Sequence, residues 1–222
     1  FDADNRLQSW YPRQRLAAEQ IRDQALYVGG LLVEELGGRS VKPYQPEGLW
    51  QEVAMLQSNT RAYEQGSGED LWRRSLYTYW KRAVPPPSLL TFDAPTREFC
   101  TTRRMSTNTP LQALVLWNDP QFVEAARAAA ARVLSEPGTD AARMRTLFLR
   151  ATAHEPRAGL LDRLLEDLEL SRARFARSAD AAMTLVAVGE HPAGRSMEPA
   201  ELAAWTMVAN AILASDPVIV KD

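Results

Sequence analysis

PQFVEAARAAAARVLSE, residues 120 to 136, decides how the chain is read. Its apolar residues keep helical rather than alternating spacing, and Asp119-Pro120 opens it as an N-cap followed by proline at the first helical position. TDAARMRTLFLRATAHE (139–155) and PRAGLLDRLLEDLELSRARFARS (156–178) repeat the pattern, with Met144, Leu147, Phe148 and Ala151 on one face. DAAMTLVAVGE (180–190) predicts a shorter helix. EPAELAAWTMVANAILAS (198–215) predicts a last one with Leu202, Trp205, Val208, Ala209 and Ile212 on one stripe.

Upstream, Ile21, Ala25, Val28, Leu32 and Leu36 recur at steps of three and four after Pro12, which predicts one long helix over 13–36 ended by Gly37-Gly38. The proline-punctuated connector SVKPYQPEG (40–48) follows, then a short helix in LWQEVAML (49–56). In GSGEDLWRRSLYTYWKRAV (66–84), Ser67 followed by Asp70 and the Leu71, Ser75, Tyr79 spacing predict another helix, broken by VPPPS. No alternating run bounded by turn signals points to a strand, and no glycine-rich phosphate loop appears. The expected class is all-α: an irregular multi-helix bundle with long proline-rich connectors.

Composition narrows the function. Lys and Arg number 26 against 28 Asp and Glu, so the balance gives no electrostatic footprint for nucleic acid. No apolar run is long enough to span a bilayer, so no membrane insertion by this chain is expected. Cys100 is the single cysteine, and covalent c-type haem attachment needs two thiols. With only His154 and His191 beside it, no metal site and no cofactor in this chain are expected. FDADNRLQSW reads like mid-protein sequence, which makes the chain an expected fragment.

The polar residues of RRMSTNTPLQALVLWNDPQF (103–122) divide in two. Thr109-Pro110-Leu111-Gln112 fits a capping box, and Asn118 closes that helix where Asp119 caps the next. Leu111, Leu114 and Val115 are expected to turn into the core. Capping does not absorb TFDAPTREFCTTRR (91–104). Its Arg97, Arg103 and Arg104 have the fork geometry that holds carboxylate or phosphate, with Asp93 and Asn108 as further candidates for a ligand site. The bland alternative is that these arginines pair with Asp93, Glu98 and the carboxylates of neighbouring helices and pin an irregular segment to the bundle. Tyr77, Trp80 and Lys81, at i, i+3 and i+4 of the predicted helix, form a second candidate, an aromatic platform suited to a glycan or a haem edge. The alternative there is core aromatics beside snorkelling stems. Cys100 is expected to be a buried small hydrophobe rather than a nucleophile.

Three blocks carry a resemblance: GGRSVKPYQPEGLWQEVA (37–54), the run from DLWRRSLYTYW through NDPQFVEAAR (70–127), and EPAELAAWTMVANAIL (198–213). They closely resemble the planctomycete-type, cytochrome-associated family known as domain of unknown function 1553. The resemblance implies a bacterial, extracytoplasmic, multidomain parent, with residues 1–222 as a single helical domain in its C-terminal part. Its implied partners are the other domains of that parent, often a cytochrome c domain, so any c-type haem lies elsewhere. The family offers no established catalytic residues to carry over. The leading expectation is a non-catalytic accessory or interaction domain that binds a small anionic or glycan ligand. The alternative is part of a hydrolase or redox-enzyme domain whose pocket combines the 91–108 loop with residues further upstream.

Overall fold

A computed structural model describes residues 2–7, 9, 13–193 and 197–221; Pro12, read above as the break before the first helix, lies outside them. Among the described residues the chain forms ten helices and one two-stranded ribbon, and the all-α class holds. In chain order these are β1 (Gln14–Arg15), α1 (Ala18–Gly29), α2 (Leu49–Val53), α3 (Pro87–Thr91), α4 (Pro110–Asn118), α5 (Pro120–Leu134), α6 (Asp140–Thr152), α7 (Ala158–Ala176), α8 (Ala179–Val186), α9 (Pro199–Leu213), α10 (Asp216–Ile219) and β2 (Val220–Lys221).

Helix α5 is the axis of the bundle, packed against α1 on one side and α9 on the other, while α9 also carries α7 and α8. Its alanines make this possible. Ala125, Ala126, Ala129 and Ala130 are buried, and α1 comes so close that a Cβ added to Gly29 would lie 2.8 Å from the Ala125 carbonyl oxygen. Met144, Leu147, Phe148 and Ala151 of α6, and Leu202, Trp205, Val208, Ala209 and Ile212 of α9, are buried as their periodicity predicts.

Three expectations fail for identifiable reasons. The first helix covers only Ala18–Gly29. Gln14 and Arg15 instead pair antiparallel with Lys221 and Val220, and Gly30, at φ 73°, ends α1 with Leu31 N–H donating to Leu26 O at 2.8 Å. Gly37 and Gly38 form a separate turn, clasped by Arg73, which donates to the carbonyls of Glu35, Gly37 and Arg39.

The 66–84 segment has no α-helix, only 3₁₀ turns at Gly68–Leu71 and Ser75–Tyr77. A helix there needs Ser75 N–H on Leu71 O, and α1 takes both groups. Arg22 donates to Leu71 O at 2.6 Å, and Asp23 Oδ1 accepts Ser75 N–H at 2.7 Å. The backbone bridges Val33 to Arg73 and Val41 to Thr78 instead.

The third failure is α4. Leu111 and Leu114 are 57% and 58% exposed and Val115 is half-buried, whereas Gln112 and Leu116 face inward. Gln112 explains the rotation. Its amide donates to Thr91 O at 2.8 Å and Thr107 Oγ1 at 3.2 Å while its oxygen accepts Thr109 N–H at 3.1 Å. Three such bonds satisfy a buried amide and fix which face of α4 points in.

Candidate functional site

The 93–107 loop is closed at its base before it offers anything to a ligand. Asp93, at φ 63°, accepts Thr107 N–H at 2.7 Å and the Thr107 hydroxyl at 2.9 Å. Gln112 reinforces the closure through the same hydroxyl. The far side of the loop is tied down by Arg104, whose two terminal nitrogens donate to Glu19 in the first turn of α1 at 2.6 and 3.1 Å. The loop thereby lies beside the β1–β2 ribbon. Between them is a groove of about 670 Å³, whose ionic side carries Arg13, Arg15, Asp93, Arg103, Arg104 and Lys221.

Its cations differ in how they are spent. Arg13 pairs with Asp216 and Arg104 with Glu19. Burial pushes the Glu19 carboxyl up, but the Arg104 hydrogen bonds and charge outweigh it and hold the carboxyl below its ordinary value. Arg103 is exposed, and among the described residues neither it, Arg15 nor Lys221 has a carboxylate within ion-pair distance. Arg15 is the most constrained. Its guanidinium lies 5.6 Å over the Phe92 ring, and both terminal nitrogens are screened from solvent without an acceptor. Burial pushes it and Lys221 below their ordinary pKa values, with Asp93 opposing the shift at Arg15. Buried donors of this kind cost free energy until an acceptor arrives.

The remaining candidates do not join this groove. Arg97 stacks 4.3 Å over Trp80, whose indole N–H donates to Thr96 O at 2.8 Å. Asn108 is exposed and does not line the groove. Asp93, Arg97, Arg103 and Asn108 therefore do not converge as a catalytic constellation. Tyr77, Trp80 and Lys81 share no helix face, because the segment is not helical. Tyr77 hydroxyl accepts Gly37 N–H at 2.8 Å beneath Arg73, and Lys81 donates to Thr60 O at 2.6 Å above the Trp50 ring. Cys100 is exposed, not buried, because the loop closes on Asp93 and Thr107 and leaves its outer half at the surface.

Sequence reasoning missed Arg13, Arg15 and Lys221. Lys221 lies about 200 residues along the chain from Arg13 and Arg15, and only the register that sets Gln14 opposite Lys221 brings it beside them. No local pattern announces such a pairing.

The family model described as "PSD1: Protein of unknown function (DUF1553)" matches residues 1–168, a span that holds every ionic residue of the groove except Lys221. No curated protein and no solved structure matches the chain.

Proposed function

The chain belongs to this family of unknown function, and from that premise we propose that it is a non-catalytic accessory or interaction domain that captures an anionic group in the groove between the β1–β2 ribbon and the 93–107 loop. One observation carries the reading: Arg15, Arg103 and Lys221 line one groove, and among the described residues none of the three has a carboxylate within ion-pair distance. A carboxylate or phosphate supplies the acceptors that these donors lack. Between an anionic and a glycan ligand the geometry favours the anion, since Tyr77, Trp80 and Lys81 are each engaged separately. The setting remains the one the resemblance implies, an extracytoplasmic bacterial parent whose other domains, a cytochrome c domain among them, are the partners.

Calorimetric titration with inorganic phosphate and with citrate tests the proposal. Both anions should bind, with affinity that falls as sodium chloride is raised. Arg103→Gln should weaken binding about tenfold, the loss of one charge-assisted hydrogen bond. Equal heats for wild type and the Arg103→Gln, Lys221→Gln double variant would overturn the proposal.

A further inference from the structure

The second feature is the outward face of α4. Leu111 and Leu114 are more than half exposed and Trp117 is 38% exposed, so an apolar helix is covered on one side only. Beside it lies a groove of about 530 Å³, floored by Leu114, Val115, Pro46 and Pro120. Apolar faces of this kind mark sites of association.

Charge identifies what fits. No basic residue lines the groove, while Asp119 stands in its wall. Glu190 is brought to the rim, accepting from the Gln65 amide at 3.5 Å and from Gly68 N–H at 3.1 Å. Glu47 and Glu64 directly neighbour the lining residues Pro46 and Gln65 in the chain. Glu190 therefore supplies negative charge beside the groove, with two further glutamates next to its lining in the chain, opposite in sign to the ribbon groove. The nine residues of α4 offer ~13 Å of length, enough for about four extended residues.

We propose that this groove docks a short peptide segment of a partner protein, with an apolar anchor seated on Leu114 and Val115 and flanking Lys or Arg side chains facing the acidic rim. The apolar floor supplies affinity and the rim selects against acidic segments. The site is separate from the anion groove and would take ligands of opposite charge.

A random 12-residue phage-displayed peptide library, selected on the full chain at neutral pH, is the probe. The enriched sequences should share an apolar anchor flanked by Lys or Arg. The consensus, synthesised and measured by fluorescence anisotropy, should bind at least tenfold more weakly to Leu114→Gln and measurably more weakly to Glu190→Gln. Arg103→Gln should bind it as wild type does. Circular dichroism of the exposed-residue variants separates lost binding from lost folding. No enrichment, an acidic consensus, or a consensus whose binding ignores Leu114→Gln would each overturn the proposal. A chain that sediments as a dimer and becomes monomeric in Leu114→Gln would also do so, assigning the face to a second copy.

Discussion

Asp119 serves two helices at once, following the last residue of α4 and capping α5, with its carboxylate accepting Gln121 N–H at 3.1 Å. Removing the acceptor in Asp119→Ala should cost about 0.5–2 kcal/mol. Burial pushes this carboxyl above its ordinary pKa, with the Gln121 hydrogen bonds and Arg22 opposing the shift. The folded state therefore holds the proton to higher pH than the unfolded state. The associated stability is present at low pH and is lost as pH rises through the folded pKa. Asp119→Asn keeps an acceptor and cannot ionise, so at neutral pH it should match or exceed wild type in Tm, and that advantage should shrink on acidification. Melting curves of both variants across pH check this; an Asn variant as destabilised as Ala would contradict it. The cap was legible because Asp-Pro and the Thr109-to-Gln112 spacing answer a local need of helix ends. The inward face of α4 was not, because a glutamine displaced leucines from the interior by finding three partners, none of which apolar periodicity registers.

At the scale of elements, the same competition explains the 66–84 segment. Its apolar spacing suits a helix, but Arg22 and Asp23 of α1 occupy the groups that would begin one. Arg22 is fully buried and also donates to Arg73 O, Ser75 Oγ and Gln121 Oε1. It welds α1 to α5 and to the irregular segment. Arg22→Met keeps much of the volume but strands those acceptors, and should cost about 3–5 kcal/mol in urea unfolding. A cost below about 1 kcal/mol would show that the segment holds its shape without the arginine. Helices α5, α6, α7, α8 and α9 were legible because their stability comes from continuous apolar faces, which a periodic reading detects. The 30–86 region is held by individual side-chain hydrogen bonds, those of Glu124 among them. That buried carboxylate receives Tyr44 hydroxyl, Trp72 indole N–H and His191 N–H at 3.1, 2.8 and 2.7 Å.

Across the whole molecule, two grooves of opposite character lie outside the helical core. One is cationic and lies along the ribbon that pairs Gln14 and Arg15 with Lys221 and Val220; the other is apolar, with Glu190 beside it. Among the described residues no helix is long and apolar enough to cross a membrane. The overall charge of -2 conceals this division, so composition gave no warning of either groove. Of the three residues proposed to hold the anion, Arg103 was a candidate in the sequence, whereas Arg15 and Lys221 depend on a ribbon pairing that is not encoded locally. The proposed function requires Arg15, Arg103 and Lys221 to act together on one anion. Nuclear magnetic resonance of the guanidinium and ammonium groups, during titration with inorganic phosphate, tests it most directly. Saturable shifts of the Arg15, Arg103 and Lys221 side-chain signals with a common midpoint are expected, while Arg97 on Trp80 stays still. Shifts confined to Arg97 or scattered over surface arginines without a shared midpoint would contradict it.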